Sequence, residues 1–484
     1  MIRKGGADKL QQPSWRKQLF RFSPYLLIAG AILLSFMLFS ITAGFMEITV
    51  AYNTVMIACA VILIALAVGL FLRKQKLTTA QIVMILMFIG LLLRIVYMLM
   101  TPFNERQHDL GNLDNNGHLQ YIYNLANFGK LPDGYGNQFY HPPLSHMISA
   151  AVYNITSLFT SYMNDMFQAV KMVPCFFSAA TMVVCYRLFK EFRMSDSAIL
   201  IAMAVVCLHP TFMILSASIN NDMAMIFFFM VAVLYTVRWY QNPSFKNILL
   251  LGVSIGCSMM SKTSGAMIAL YTGVIFLIVL VKGVRARRFG RLIGQFAAFG
   301  AVAFPLGLWY PIRNMILFGQ PLSYIAEISP TSELFVGNVS FVDRFLTFPV
   351  SEILQTPFCH PFEDANLWTY TAKCSLFGEF EFPADTITTV FLQVLVFLNV
   401  ALILFSLYAM VYVLVRDKNP DNRFGNWSMF AIWAIQIVSF IYFNIQYPFG
   451  CTMDFRYIVP TVVTGAFFLG RYLQARRENR PVRG

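Results

Sequence analysis

Apolar runs of about 20 residues recur along the chain and alternate with short polar or basic segments. Folded as a helix, a run of that length crosses about 30 Å of hydrocarbon. The pattern predicts an all-α polytopic membrane protein with about twelve transmembrane helices and both termini on the cytoplasmic side. The predicted spans are approximately 24–44, 50–72, 79–101, 168–189, 197–217, 222–240, 246–261, 265–282, 293–312, 387–415, 427–447 and 455–473.

One apolar run, from about 144 to 163, does not fit this alternation. Counted as a span, it would place the basic residues of 187–193 outside and invert every later loop, although Lys and Arg prefer cytoplasmic loops. Its many hydroxyl and amide side chains also suit the membrane surface better than the hydrocarbon. We therefore expect an interfacial helix on the outer leaflet, with the outer loops 102–167 and 313–386 forming a cap above it.

This arrangement divides the chain into four parts, none of which is a separate soluble domain. The predicted parts are 1–78, with a cytoplasmic tail and two extra N-terminal spans; 79–312, the core with its first outer loop; 313–386, a large outer loop; and 387–484, with the C-terminal spans and a basic cytoplasmic tail.

The composition agrees with a membrane protein and excludes several functions. Of 484 residues, 58% are hydrophobic and 12% are charged, and the net charge is +13. The basic clusters lie between spans, as in RKQK at 73–76, which is typical of cytoplasmic loops beside anionic lipids, so no nucleic acid partner is expected. No Walker loop, dinucleotide-binding glycine pattern, HExxH or GxSxG motif is present, which leaves nucleoside triphosphate and nicotinamide chemistry unsupported.

The longest strongly polar stretch of the first 280 residues runs from 104 to 146 and contains four of the six histidines. Carboxylates and imidazoles move protons or hold metals near neutral pH, so this stretch is a candidate for carrying chemistry. A solvated loop between two helices is the alternative. The candidates are Asp109 and Asp114 for catalysis, with His108, His118, Tyr121, His141 and His146 around a cavity.

Three cations lie at the predicted outer ends of spans, where few positive charges are expected. They are Lys262 in SKTSG, Arg313 in WYPIRN and Arg456 in DFRY. A cation stranded there indicates an anionic ligand such as a phosphate. Anchoring to lipid headgroups is the alternative, and Asp454 could neutralise Arg456.

Two further residues of the same outer face, Asn221 and Asp222, belong to the segment SINND. Asp222 could be only a helix cap, or it could form the rim of the outer cavity with Asn221. His141 and His146 are five residues apart, so on one helix they would not share a face as i and i+4 residues do. A divalent metal at these two histidines is left open, and no cofactor is required.

Seven short motifs follow one another along the chain: HD, GHLQYIYNLANFGKLP and HPPL in the first outer loop, then SINND, SKTSG, WYPIRNMILFGQPL and DFRYIVP. In this order, the motifs resemble those of the polyprenyl-phosphate-sugar-dependent glycosyltransferases with the GT-C fold, in particular the protein O-mannosyltransferase and lipid A aminoarabinose transferase families. Each is short, and their order, spacing and common side carry the resemblance. It covers about 79 to 460 and leaves the first two spans as an extension.

The resemblance implies transfer of a sugar from a polyprenyl-phosphate donor to a hydroxyl acceptor, on the outer side of a bacterial cytoplasmic membrane. In that family an acidic residue of the first outer loop is the general base. The adjacent Asp-Glu of many members is missing here, so two residues are candidates: Asp109 is the first and Asp114 the second. The lysine often found before Pro-Pro-Leu is His141 in this chain. The donor phosphate would be held by Lys262, Arg313, Arg456 and His141.

The resemblance leaves open the sugar, the acceptor (a glycolipid, a protein or a wall polymer), the oligomeric state and any pairing among Cys359, Cys374 and Cys451. A transporter or lipid flippase is the alternative, since twelve spans is a common transporter count. That function would place charged residues near the middle of the membrane in matching halves of the chain. Arg94 is one such buried-looking charge, but most polar residues lie in outer loops.

Overall fold

The regular structure in the described part of the chain is helical, so the predicted all-α polytopic class is confirmed. The computed structural model describes residues 14–45, 47–73, 76–104, 113, 115–285, 289–322, 324–326, 328–383 and 385–478. The α-helices are α1 (Ser14–Phe45), α2 (Ile48–Leu72), α3 (Thr79–Met100), α4 (His118–Phe128), α5 (Leu144–Thr156), α6 (Met163–Val170), α7 (Met172–Glu191), α8 (Asp196–Leu208), α9 (Pro210–Ile214), α10 (Asp222–Gln241), α11 (Phe245–Ser261), α12 (Ile268–Arg285), α13 (Phe289–Phe318), α14 (Phe341–Phe345), α15 (Val350–Gln355), α16 (Leu367–Phe377), α17 (Thr386–Arg416), α18 (Pro420–Gln446) and α19 (Pro460–Glu478).

Every predicted span coincides with one helix or with consecutive helices, but the count of about twelve is not confirmed. Among the described residues, nine helices are long and apolar enough to cross a membrane, and a bent pair of helices would make ten. Helix α11 is apolar but only 17 residues long. Helix α19 is not among the nine, and it carries Arg471, Arg476 and Arg477.

The apolar run from 144 to 163 forms α5, a helix of 13 residues. At 1.5 Å per residue it is about 20 Å long, which is less than the ~30 Å of a hydrocarbon core. It therefore cannot cross a membrane as a single straight helix. Helix α4 packs against it through Leu119, Ile122, Ala150 and Tyr153, so this part of the first outer loop is a folded unit.

We expect a cysteine introduced at Ser157 to react with an impermeant thiol reagent added outside intact cells. Ser157 is exposed at the end of α5, and a helix of this length ends on the surface at which it began. Asp196→Cys, whose parent side chain is 65% exposed in the predicted cytoplasmic turn after α7, is the matched control. It should react only after permeabilisation. Labelling of Ser157→Cys from the cytoplasmic side alone would contradict the interfacial helix.

The predicted span 197–217 is bent rather than straight. Helix α8 and the segment Pro210–Ala217 meet at an angle of 49°. A proline within an apolar helix removes one backbone donor and disfavours helical geometry in the residue before it. His209 accordingly has an extended conformation, with φ −65° and ψ 127°, and becomes the N-cap of α9. The His-Pro pair therefore sets the position of the bend.

Arg94 holds this bend from α3 and is fully buried. Its guanidinium donates to the carbonyls of Val206 and Cys207 at 3.3 and 2.9 Å. In a continuous helix these carbonyls would accept from residues 210 and 211. Residue 210 is Pro210, which has no N–H, and the N–H of Thr211 donates to the His209 ring instead. Arg94 thus supplies the donors that the broken helix lacks.

Two other buried cations also meet the C-terminal ends of helices. Lys171 donates to the carbonyl of Met98 at 2.7 Å, near the end of α3. Arg471 of α19 donates to the carbonyl of Phe192 at 2.8 Å, directly after α7. Cations are favoured where the last carbonyls of a helix have no helical partner. These contacts join neighbouring helices at opposite ends of the bundle.

Small residues let α11 and α13 pack closely. Gly252 and Gly256 lie one turn apart on α11 and face α13. A Cβ at Gly252 would lie 3.2 Å from the carbonyl oxygen of Phe299, and one at Gly256 would lie 2.6 Å from the Leu306 side chain. Close approach through paired small residues is a common way for helices to associate in membranes. It fixes the relative position of the helix ends at which Lys262 and Arg313 are found.

The large outer loop 313–386 folds into short helices and contacts the first outer loop. The ring of Tyr324 packs edge-on against the rings of Tyr135 and Tyr140, with centroids 4.8 and 5.4 Å apart. Helix α16 packs below this region against α9 and α17. The contact between the two outer loops is that expected of the predicted cap.

Candidate active site

The ends of α10 and α11 bring the SINND and SKTSG segments together. The Asn221 amide donates to the carbonyl of Ser261 at 2.9 Å. The next residues in each segment form an ion pair, in which Nζ of Lys262 lies 2.6 Å from Oδ1 of Asp222. Lys262 is 8% exposed and Asp222 is 1% exposed, so the pair is buried. Asp222, which is predicted to form the rim of the cavity, therefore pairs directly with Lys262, which is predicted to bind the donor phosphate.

Arg456 joins this pair from the 3₁₀ turn that precedes α19. Its guanidinium lies 3.9 Å from Oδ2 of Asp222 and 3.5 Å from Oδ2 of Asp454. The Tyr457 ring faces both cations, with its centroid 5.0 Å from Nζ of Lys262 and 5.0 Å from the guanidinium carbon of Arg456. We call these five residues the charged cluster. Among the described residues, its two cations face two carboxylates.

The described histidines of the first outer loop stack beside the charged cluster. Nδ1 of His118 and Nε2 of His146 are 2.8 Å apart, within hydrogen-bonding distance. The rings of His118 and His141 are nearly parallel, with centroids 5.8 Å apart. The Tyr121 ring stacks on His146 at 4.1 Å. These side chains come from α4, the HPPL turn and α5, so the packing of α4 on α5 brings the predicted rim residues together.

Burial keeps two of these imidazoles neutral. Burial lowers the pKa of His141 well below its usual value, and Lys262, the two neighbouring histidines and Arg456 lower it further. Burial also lowers the pKa of His146, with a smaller contribution from His118. A neutral imidazole adds no positive charge at pH 7 and offers one N–H donor. Any role of His141 in holding a phosphate is thus that of a neutral donor.

Arg313 forms contacts with residues outside the charged cluster. Its guanidinium donates to the carbonyl of Pro132 at 3.0 Å and to Oδ1 of Asn314 at 2.8 Å, and it lies over the Tyr310 ring. Among the described residues, no hydrogen bond or ion pair joins it to the charged cluster. The structure therefore brings two of the three predicted cations together, while Arg313 ties α13 to the KLP segment of the first outer loop.

Three predicted site residues, Asp109, Asp114 and His108, lie outside the described residues. Within the described part of the chain, no group of three or more His, Cys, Asp or Glu side chains has a metal-binding arrangement. A metal at His141 and His146 stays a prediction.

A large apolar cavity lies next to the charged cluster. It has a volume of about 550 Å³ and is lined by residues of α8, α16, α17, α18 and α19. Leu402 and Leu404 on its α17 wall are 40% and 60% exposed, as expected of side chains in contact with lipid. Phe455 lines both this cavity and a small cleft that contains Asp454 and Arg456. The apolar cavity and the cleft that contains Asp454 and Arg456 thus share Phe455 as a wall.

Sequence reasoning missed three participants in this region. The aromatic residue after Arg in DFRY was the available signal for Tyr457. A histidine-proline pair inside an apolar run was the signal for His209, which lines the cavity. Cys374 gave no signal of its own; its thiol donates to Oδ1 of Asp454 at 3.2 Å.

The family model described as dolichyl-phosphate-mannose-protein mannosyltransferase matches residues 133–310. This match confirms the resemblance to GT-C glycosyltransferases that the motifs indicate, and it lies within the predicted core 79–312. No curated protein sequence matches the chain.

Several solved structures are similar at low scores. The S. cerevisiae protein O-mannosyltransferase Pmt1-Pmt2 complex bound to the sugar donor is 16% identical over 54% of this chain and 36% of that chain, with a TM-score of 0.38. The Archaeoglobus fulgidus oligosaccharyltransferase is 14% identical over 81% and 50%, with a TM-score of 0.46. ArnT from Cupriavidus metallidurans is 14% identical over 81% and 75%, with a TM-score of 0.38. The chain thus spans half or less of the first two, and these scores are too low to assign a role to any residue.

Proposed function

We propose that this chain is a membrane glycosyltransferase that moves a sugar from a polyprenyl-phosphate-linked donor to a hydroxyl acceptor on the outer side of the membrane. The observation that carries the proposal is the buried charged cluster beside an apolar cavity of about 550 Å³. A lipid phosphate has the same two parts, an anionic head and an apolar chain. The ordered motifs and the family match over 133–310 support this assignment.

The charged cluster suits the leaving group of this reaction. When the bond between the anomeric carbon and the phosphate oxygen breaks, negative charge accumulates on the lipid phosphate, and fixed cations in a water-poor site stabilise it. The Lys262 ammonium has three donors, and the hydrogen bond described for it goes to Asp222. Two donors thus remain for a phosphate. Asp222 holds the ammonium in place before the donor arrives.

The acceptor hydroxyl must lose its proton as its oxygen attacks the anomeric carbon. A carboxylate within hydrogen-bonding distance can take that proton, and Asp109 is the first candidate, followed by Asp114. The loop that would carry them is held at its two ends. His118 begins α4 after the loop and stacks on its histidine neighbours, and α3 ends before it. A single displacement would invert the configuration at the anomeric carbon.

The contacts of Arg94 do not favour the alternative of a transporter or flippase. Arg94, the buried charge that this alternative would use, donates to Ser178 and to backbone carbonyls of the bent span. Its described hydrogen bonds all go to protein groups of α3 and of the neighbouring helices α7 and α8, and Arg94 does not line the apolar cavity. A transport site would instead need charges that face a central pathway.

Transfer from a lipid-linked sugar tests the proposal directly. Purified protein in liposomes should move radiolabel from a polyprenyl-phosphate sugar to a hydroxyl acceptor, and it should not use a nucleotide sugar. Lys262→Met should lower kcat/KM for the donor by roughly 100-fold, since one preorganised donor to a developing charge contributes about that much.

Lys418→Met removes an exposed cation from the turn between α17 and α18 and is the matched control; it should stay within about twofold of wild type. If no polyprenyl-phosphate sugar in a panel of hexose and aminopentose donors supports transfer, and none co-purifies by mass spectrometry, the proposal is wrong. Equal losses in the two lysine variants would show that the charged cluster has no particular part in it.

A further inference from the structure

His209, at the bend between α8 and α9, offers a donor that the protein itself does not use. Its Nδ1 accepts from the backbone N–H of Thr211 at 3.3 Å, which caps α9. A neutral imidazole carries a single N–H, so an Nδ1 that accepts leaves the proton on Nε2. Among the described residues, no acceptor forms a hydrogen bond with that Nε2–H.

The His209 ring lies in the wall of the apolar cavity, against a residue next to the charged cluster. His209 lines the apolar cavity, and its ring stacks on Phe455 with centroids 6.1 Å apart and an angle of 16° between the planes. Phe455 precedes Arg456 and also lines the small cleft beside the charged cluster. His209 therefore lies where the apolar cavity approaches the charged cluster.

We propose that His209 is a further binding residue for the phosphate of a prenyl-phosphate lipid, which it contacts through Nε2–H while the prenyl chain occupies the apolar cavity. This inference rests on the proposed function and adds a residue to it. A phosphate oxygen is a strong acceptor. The charged cluster supplies the positive charge, and His209 adds a directed hydrogen bond without adding charge to the interior.

The fold holds the ring in this position from outside the cavity. Pro210 sets the bend, and Arg94 binds the carbonyls of Val206 and Cys207 directly before His209. Because the Thr211 cap also fixes the ring on its Nδ1 side, Nε2 keeps one direction. A donor that is held before its ligand arrives loses little conformational entropy on binding.

Two substitutions of His209 distinguish the role of its Nε2–H donor from the role of Nδ1 in capping α9. In His209→Asn, the amide oxygen can take the place of Nδ1 and cap α9, but no atom reaches the position of Nε2. In His209→Gln, the amide nitrogen reaches that position. We expect the affinity of the purified protein for farnesyl phosphate to fall about tenfold in His209→Asn and to stay within about threefold of wild type in His209→Gln.

Farnesol, which has the same chain without the phosphate, is the control probe, and its affinity should be the same in all three proteins. Wild-type binding of farnesyl phosphate by His209→Asn would overturn the inference, as would equal losses in both variants or a parallel loss of farnesol binding. Phosphatidylglycerol vesicles that compete as well as undecaprenyl phosphate would also overturn it, by assigning the site to an ordinary phospholipid. If the wild type binds no prenyl phosphate, the proposed function fails, and the inference fails with it.

Discussion

Asp222→Asn is expected to lower the free energy of unfolding by about 3–5 kcal/mol, because it breaks a buried ion pair and leaves a cation without its partner. Oδ1 of Asp222 lies 2.6 Å from Nζ of Lys262, and Oδ2 lies 3.9 Å from the Arg456 guanidinium. Without this carboxylate, Lys262 would lose the ion pair described for it, and Arg456 would lose one of its two described carboxylate contacts. Thermal unfolding of the purified protein in detergent measures the change.

The double variant Asp222→Asn/Lys262→Met should recover a large part of this loss, since it removes the cation together with its partner. A coupling energy above about 1 kcal/mol between the two positions is expected from the double-mutant cycle. Asp196→Asn is the matched control: Asp196 also pairs with a lysine at 2.9 Å, but its side chain is 65% exposed. That variant should change stability by less than about 1 kcal/mol. Additive effects at Asp222 and Lys262 would show that the pair contributes no mutual stabilisation.

The convergence of the outer motifs could be predicted from sidedness alone. Once the basic loops fix the cytoplasmic face, SINND, SKTSG and DFRY are all predicted at the opposite end of the bundle, and the structure brings Lys262 and Arg456 to one carboxylate, Asp222. Asp454 could be proposed as a partner of Arg456 from their neighbouring positions, but the choice of Asp222 as the partner of Lys262 could not be predicted. That choice depends on the packing of α10 against α11 and of α19 against its neighbours, which are contacts between segments far apart in the chain.

Arg313 shows the limit of the same reasoning. It lies at the outer end of α13 beside aromatic rings, as its sequence position indicates, but its hydrogen bonds go to Pro132 and Asn314 rather than to the charged cluster. Sidedness fixes depth along the membrane normal and not position within its plane. Two residues at one depth can therefore lie on different sides of the same helix bundle.

The bent span shows that a proline within an apolar run marks a bend that hydropathy alone does not indicate. The run 197–217 is apolar enough to be predicted as one span, although it contains His209 and Pro210. Pro210 removes the donor for Val206, and Arg94 of α3 supplies it from a distant part of the sequence. The proline marks the bend, but the residue that satisfies the broken backbone becomes evident only when α3 and α8 are seen in contact. His209 acquires its place beside Phe455 through that bend.

Asp109→Asn is expected to lower kcat by 10²- to 10⁴-fold, the usual contribution of a general base, while leaving the affinity for the polyprenyl-phosphate donor nearly unchanged. An amide has almost the same shape as a carboxylate but cannot take the acceptor's proton. The substitution replaces none of the residues of the charged cluster, which would bind the donor phosphate. Initial rates at saturating donor, combined with direct binding of undecaprenyl phosphate, separate the two quantities.

The matched controls come from the same loop. Asp133→Asn changes an exposed aspartate of the KLPDG segment and should leave kcat within about twofold of wild type. Asp114→Asn distinguishes the two candidates: if Asp109 is the base, the loss at Asp114 should be smaller and should appear mainly in KM for the acceptor. The reverse pattern would assign the base to Asp114. If both variants insert normally and transfer at the wild-type rate, the proton must leave by another group, and the neutral, buried His141 beside the charged cluster becomes the next residue to replace.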